Sequence, residues 1–212
     1  MKKLAENADS RAAFMAALTF RHACKVFDEK RSLPREDLGY ILEAGRLSPS
    51  SLGLEPWRFL VVEDRVIRRA LRSACWNQSQ ITTASTVVVI LALTADLKLE
   101  TGYAERMLRR LATSPPEIEE ALQIYRDIVR GDLAAWSVAQ CHIAAAQMMM
   151  AAAVIGVDSC PMGGFEPEAV AHVLQIDRSK LEVALLLALG HRAGPQPPKQ
   201  RLALGELVQR RL

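Results

Sequence analysis

The sequence has few aromatic residues and no cysteine pattern that would direct a fold. Phe, Trp and Tyr make up 5% of the 212 residues, so the core must depend on Leu, Val, Ile, Ala and Met. The cysteines form no CxxC pair and have no metal-ligand spacing with the four histidines. This pattern argues against a disulfide framework and a metal site, and it favours a reduced intracellular protein. The four cysteines are Cys24, Cys75, Cys141 and Cys160.

A strong charge of one sign is also absent, and so is any long membrane-type segment. The net charge of +3 could attract an anionic cofactor, but it is too small for a nucleic-acid surface unless the cations cluster. Residues 1–7 lack the apolar stretch of a secretory signal. Ala144–Val157 is apolar but too short to span a bilayer, which indicates a buried helix. We therefore expect a cytoplasmic protein with no nucleic-acid or membrane partner.

The apolar content, by contrast, is ample for one core. Half of the residues are hydrophobic, and no repeat or linker divides the chain, so residues 1–212 are predicted to form a single domain. No GxGxxG motif follows a strand, which argues against a Rossmann fold. Hydrophobic runs predict strands at Arg58–Glu63, Thr86–Leu93, Val157–Cys160 and Glu182–Leu189. Helices are predicted at 10–20, 34–47, 96–112, 116–130, Ser137–Ile155 and 166–174, and another helix, capped by Asp64, carries Ile67, Ala70 and Leu71. The class is α/β or α+β with a covered central sheet.

Four short motifs carry the residues that could do chemistry. Each has an ordinary explanation when taken alone: a basic surface turn, a loop, a corner that needs glycine, and a solvated tail. Their joint occurrence in this order is not explained in that way. The motifs are RHACKVF at Arg21–Phe27, SPSSLGLEPWRF at Ser48–Phe59, PMGGF at Pro161–Phe165 and PPKQRL at Pro197–Leu202.

Together these motifs resemble the nitroreductase family, in its branch of oxygen-insensitive bacterial nitroreductases and dihydropteridine reductases. The similarity extends from about Arg21 to Leu204, and its most specific part is the pair RHxxKxFD and SPSSxxxxPWxF. The resemblance implies an α+β fold in which helices flank a central, mostly antiparallel sheet. It also implies an intertwined homodimer with FMN at the interface. In that arrangement about residues 1–20 form an N-terminal helix, Ser137–Ile155 is the central interface helix, and a tail at about 203–212 reaches the partner subunit.

The resemblance assigns cofactor-binding roles to thirteen residues and leaves the list of catalytic side chains and metal ligands empty. Cations suit the FMN phosphate, because charged donors bind phosphate strongly. The phosphate group is Arg21, His22, Ala23, Lys199 and Arg201. The group at the pyrimidine edge of the flavin is Lys25, Asn77 and Gln80. The group at the ring is Gly163 and Gly164, which offer backbone N–H groups, with Pro49, Ser50 and Ser51 of the other subunit.

Four positions depart from the family pattern. Ala23 stands where relatives often have Ser, and Gln80 stands where they often have Lys. Leu52 is bulkier than the usual Thr or Ala, and Gly163 replaces an acid that can precede the second glycine. None of these changes removes the phosphate cations. Three of them border the expected substrate side and leave the substrate's identity open.

The implied chemistry is hydride transfer from NADH or NADPH to flavin N5, then reduction of a nitroaromatic, quinone or similar electron-poor acceptor by a ping-pong scheme. The sequence does not choose between the two donors. One alternative is another branch of the superfamily, such as flavin-fragmenting, dehalogenating or azoline-oxidising enzymes. The other is a flavin-binding protein with no turnover.

Overall fold

A four-stranded sheet forms the centre of the computed structural model, which describes residues 8–112 and 114–211. The strands are β1 (Trp57–Val62), β2 (Thr86–Leu93), β3 (Asp158–Met162) and β4 (Leu181–Gly190). Their order is β1-β2-β4-β3, and every neighbouring pair is antiparallel. The predicted antiparallel sheet is therefore confirmed, with strand ends that differ from the predicted ones by at most two residues.

Helices cover both faces of this sheet. On one face Val87 and Val89 of β2 pack in a cluster with residues of α3 and α8. On the other face Val88 and Ile90 pack against α2 and α7. Because side chains alternate along a strand, the unbroken apolar run of β2 supplies both clusters at once. The helices are α1 (Ala8–Phe20), α2 (Arg35–Arg46), α3 (Arg65–Ala74), α4 (Gln80–Thr83), α5 (Tyr103–Leu108), α6 (Pro115–Val129), α7 (Leu133–Val154), α8 (Pro167–Leu174) and α9 (Leu204–Leu207).

Local capping explains where several helices begin. The Asp64 carboxylate accepts hydrogen bonds from the backbone N–H groups of Val66 and Ile67 at the start of α3. The Asp132 carboxylate accepts one from Ala135 at the start of α7, at 2.9 Å. This second cap was not recognised in the sequence, and it is the reason that α7 begins at Leu133 instead of Ser137.

The longer α7 changes one conclusion drawn from the sequence. At 22 residues with a mean hydropathy of 1.3, it is long and apolar enough to cross a membrane, so the argument from length was wrong. Half of the most apolar 18-residue stretch of α7 is nevertheless buried inside the fold. Ala144 and Met148 lie in the cluster on the α2 side of the sheet. Its outer face stays exposed and consists mainly of small or apolar residues, namely Ala135, Ala139, Ile143, Ala146 and Val154.

The helix predicted over 96–112 was also wrong. The segment forms two short 3-10 turns, Ala95–Leu97 and Leu99–Thr101, before α5 begins. Gly102 separates the second of these turns from α5. It has a left-handed conformation with φ of 69°, which glycine adopts without a steric penalty. The predicted N-terminal helix is found from Ala8 onward, and its residues 1–7 lie outside the described part of the chain.

Candidate functional site

The first and last motifs meet in one cavity. Arg21, His22 and Ala23, directly after α1, line a space of about 460 Å³ together with residues 196–201. The Lys199 ammonium donates a hydrogen bond to the Arg21 carbonyl. The Gln196 side chain fastens the same tail to α1 through the Thr19 carbonyl, at 3.0 Å. Three of the predicted phosphate cations therefore converge from opposite ends of the chain. We call this space the cation cavity; its cations are Arg21, Lys199 and Arg201.

The cation cavity has an uncompensated positive charge. Within residues 8–112 and 114–211, no ion pair joins Arg21, Lys199 or Arg201 to a carboxylate. Partial desolvation of this exposed side chain, and then repulsion from Arg21 and Arg201, lowers the pKa of Lys199 below its ordinary value. An anion in the cavity would relieve this repulsion.

A buried carboxylate, that of Asp158, lies next to His22 at the wall of this cavity. Asp158 is 4% exposed, and its Oδ1 lies 3.6 Å from Nδ1 of His22. Arg192 approaches the same carboxylate through Nε at 3.1 Å and donates its backbone N–H to Oδ2 at 2.9 Å. A buried charge is tolerated when it is paired in this way. Asp158 lies within ion-pair distance of the His22 ring beside the cation cavity, and it makes no hydrogen bond to that ring.

A second cluster lies at the end of β3. The Cys160 thiol is 3.9 Å from the Lys25 ammonium and 3.7 Å from the Gln80 amide nitrogen. Gln80 also donates to the Gln78 amide oxygen at 3.1 Å, and Gln78 donates to the Gly164 carbonyl at 2.7 Å. We call this chain of contacts the amide relay: Lys25, Cys160, Gln80, Gln78 and Gly164. It brings together three residues that the sequence assigned to the flavin.

The serine loop, which consists of Pro49, Ser50 and Ser51 between α2 and β1, belongs to neither the cation cavity nor the amide relay. Ser50 Oγ accepts a hydrogen bond from the Glu55 backbone, and the Ser51 N–H donates to the Gln140 side chain of α7, both at 2.9 Å. Pro49 and Ser51 are exposed. None of these three residues is among the residues that line the cation cavity of the same chain, within the part that the structure describes.

Comparison with known proteins identifies the family. The chain matches the family described as "Nitroreductase family" over residues 18–191. The chain belongs to the nitroreductase family.

The similarity extends to individual relatives. The Bacillus subtilis protein named "Putative NAD(P)H nitroreductase YfkO" is 38% identical, over 95% of this chain and 99% of its own. A nitroreductase-like protein from Streptococcus mutans superimposes with a TM-score of 0.84 at 21% identity, covering 95% and 100% of the two chains. A protein of Exiguobacterium sibiricum solved in complex with FMN has a TM-score of 0.77 at 22% identity, covering 93% and 97%.

The glycine corner of this nitroreductase is open on one side and closed on the other. A Cβ added at Gly163 would meet no atom within 4 Å, whereas one at Gly164 would lie 2.6 Å from the Trp76 ring. Trp76 is 63% exposed, and its indole N–H donates to Glu166 at 2.8 Å. Gly163 thus leaves room for a flat ligand, and the Trp76 ring forms a wall beside Gly164.

The turn that presents Trp76 is strained. Trp76 and Asn77 both have positive φ, 53° and 56°, a region that non-glycine residues rarely occupy outside functional turns. Asn77 is exposed; its backbone N–H donates to the Arg72 carbonyl at 2.9 Å, and its carbonyl accepts from the Arg72 guanidinium at 3.2 Å. Its two neighbours, Trp76 and Gln78, are the residues that reach the glycine corner.

Sequence reasoning did not single out three residues of this nitroreductase's site: Trp76, Gln78 and Cys160. Cys160 directly precedes the PMGGF motif, and the other two flank Asn77, so their positions gave a usable signal. The contacts of the cysteine could not be read from the sequence because they cross from β3 to the loop after α1. Among residues 8–112 and 114–211 no group of His, Cys, Asp or Glu has the arrangement of a metal site.

Proposed function

We propose that this protein is an NAD(P)H-dependent flavin oxidoreductase that binds one FMN per subunit and reduces nitroaromatics, quinones or similar electron-poor acceptors. The observation that carries the proposal is the convergence of Arg21, Lys199 and Arg201 on one cavity, without an ion-pair partner among residues 8–112 and 114–211. The name of the Bacillus subtilis relative and the FMN complex of the Exiguobacterium sibiricum protein support it.

The residues present fit FMN at both of its ends. A phosphate requires charged donors, and the cation cavity offers three. A planar ring system requires backbone that can approach closely, and Gly163 has open space where a side chain would lie. Bound FMN would supply the two-electron hydride chemistry, accepting from NADH or NADPH and passing electrons to the acceptor.

At the phosphate end the chain's own residues bind and orient the cofactor. Arg21, Lys199 and Arg201 supply the charged hydrogen bonds, and His22 lies beside them within ion-pair distance of Asp158. Ala23 lacks the hydroxyl that many relatives offer at this position, so the cations carry a larger share of the binding.

At the ring end the amide relay would control the electronics of the flavin. The Lys25 ammonium would stabilise negative charge that develops on the pyrimidine edge, with the Gln80 amide and Asn77 close by. Gly163 and Gly164 would offer backbone N–H groups to the ring. No side chain is required as a general acid, since solvent can supply protons.

We further propose a homodimer with FMN at the interface. The serine loop residues Pro49, Ser50 and Ser51 would approach the ring from the partner subunit, because they lie away from the cation cavity of their own chain. The exposed apolar face of α7 and the exposed tail, with Leu202 at 64% and Leu204 at 75%, are suited to burial against a second copy. Such an enzyme would work in the cytoplasm, without a membrane or nucleic-acid partner.

Purification and spectroscopy test the proposal directly. We expect a yellow protein with one FMN per subunit that elutes as a dimer and oxidises NADH or NADPH in the presence of a quinone. Double-reciprocal plots should be parallel, as for a ping-pong scheme in which donor and acceptor use one pocket in turn. A colourless monomer that FMN cannot reconstitute would refute the proposal. A yellow dimer without turnover would indicate a non-catalytic flavin-binding protein.

A further inference from the structure

A buried arginine on α3 forms no ion pair in the described part of the chain, and Glu29, Asp64 and Glu63 act on it only at longer range. Arg68 is 4% exposed, and one of its terminal nitrogens donates to the Ala84 carbonyl. Its Nε has no hydrogen-bond partner, and no carboxylate among residues 8–112 and 114–211 forms an ion pair with it. A charge taken out of water without a counter-charge is costly. The position of Arg68 therefore calls for an anion.

A small cavity lies beside this arginine. It has a volume of about 180 Å³ and is bounded by Arg65, Arg68 and the segment 82–86. Liquid water occupies about 30 Å³ per molecule, so the space equals roughly six waters. A small anion with its hydration would fit, whereas a nucleotide would not. We call this space the Arg68 cavity.

The polar groups around the Arg68 cavity restrict the charge of the ligand. The hydroxyls of Thr82, Thr83 and Ser85 already donate to backbone carbonyls, at 3.1, 3.1 and 2.9 Å, so the donors that face the cavity are the two guanidinium groups with the hydroxyls of Ser32 and Thr86. Two exposed carboxylates, Glu29 and Glu63, also line the cavity. They would repel a dianion more strongly than a monoanion.

We propose that the Arg68 cavity binds a small monovalent oxyanion, of the size of formate or nitrate, between the guanidinium groups of Arg68 and Arg65. The anion would tie α3 to the segment that joins α4 to β2. This site is separate from the cation cavity, because the two share no lining residue. The proposal therefore does not depend on the flavin assignment.

The test is thermal unfolding of the purified full chain with increasing sodium formate, with and without FMN. Ionic strength is kept constant with sodium HEPES, whose anion is too large for the cavity. We expect a saturable rise in the unfolding midpoint for the unmodified protein and at least a tenfold weaker formate affinity for Arg68→Met. Arg69→Met removes the same charge from an exposed neighbour on α3 and should keep the full response.

A second variant keeps the proposal testable if Arg68→Met does not fold. The double variant Glu29→Gln, Glu63→Gln retains both arginines and removes the repelling carboxylates, so it should bind formate at least about threefold more tightly. Equal responses of the unmodified protein and Arg68→Met would overturn the proposal. A destabilised double variant that formate does not stabilise would also overturn it, because it would show that a glutamate is the partner of Arg68.

Discussion

The cation cavity and the amide relay are built in opposite ways. Lys199 and Arg201 are exposed residues of a tail, and neither forms an ion pair with a carboxylate in the described part of the chain. Gln80 is 3% exposed and hydrogen-bonded, and the relay contains only one charged side chain, Lys25. Uncompensated charge is suited to holding an anion, whereas a buried and mostly neutral network is suited to fixing geometry. We therefore expect the cation cavity to retain the cofactor and the amide relay to tune the reduction potential of the flavin.

The largest expected effect separates these two roles. Arg201→Ala should weaken FMN binding by about 1.5–3 kcal/mol, or roughly 10- to 150-fold, because it removes a charge-assisted contact. Lys25→Ala should weaken it less and affect reduction of the flavin more. Fluorescence titration of the apoprotein with FMN measures both affinities. Arg210→Ala, which removes the same charge from an exposed part of the tail, is the matched control, and an unchanged affinity in Arg201→Ala would show that the C-terminal motif is misassigned.

The two glycines of the corner allow a comparison within the ring end itself. Gly164→Ala should reduce the free energy of unfolding by about 1–3 kcal/mol, because the new methyl group would overlap the Trp76 ring. Gly163→Ala has open space and should change stability by less than about 0.5 kcal/mol. Chemical unfolding of the apoprotein measures both, with tryptophan fluorescence as the probe.

For FMN binding, Gly163 is the glycine whose substitution should matter. Gly163→Ala should weaken FMN binding in a protein of normal stability, because the methyl group would occupy the space proposed for the ring. Normal FMN affinity in the Gly163 variant would place the flavin elsewhere.

The sequence predicts the sheet and the motifs better than it predicts the contacts between them. Hydrophobic runs located all four strands, since β2 is buried along its whole length. The motif RHxxK located Arg21 and Lys25 without any structural information. The side chains that meet Gly164 could not be predicted, because two consecutive residues with positive φ, Trp76 and Asn77, turn the chain and bring both the Trp76 ring and the Gln78 amide to this glycine.

The burial of Arg68 is a second feature that the sequence did not predict. The segment around it is rich in arginine, and such a short basic run on a helix is typical of a solvated face. Arg69 and Arg72 are exposed as expected, but Arg68 faces the Ala84 carbonyl and is buried. Helical periodicity could have placed it on the same side as Leu71, but its partner comes from a distant loop.

Gln80→Lys tests whether the relay acts on the flavin by charge. The new ammonium would lie beside the pyrimidine edge and stabilise the anionic reduced flavin, with burial and the nearby Lys25 reducing the gain to about 1–2 kcal/mol. We therefore expect the FMN midpoint potential to rise by roughly 20–45 mV. Lys25→Gln, which removes one charge from the same cluster, should lower it.

A dye-coupled reductive titration of the three proteins measures these potentials. Slower electron delivery to weak acceptors should accompany the rise in Gln80→Lys. If the potential is unchanged or lower in that variant, the Gln80 side chain does not face the flavin, and the role of the relay would have to be revised.

The smallest effect concerns the pH dependence of retention. Partial desolvation, and then repulsion from Arg21 and Arg201, lowers the pKa of free Lys199, and a bound phosphate would raise it again. The contribution of Lys199 to FMN affinity is therefore complete below the pKa of the free protein and is lost as the pH rises through the pKa of the complex. The loss should appear only at alkaline pH and should not exceed about tenfold per pH unit, since one proton is involved.

Titrations with FMN from pH 7 upward measure this loss of affinity. Lys199→Arg keeps the charge at every pH used and also reports any ionisation of the flavin itself, which both proteins share. If the two proteins lose affinity in parallel, Lys199 does not contact the phosphate, and only the two arginines of the cation cavity retain the cofactor.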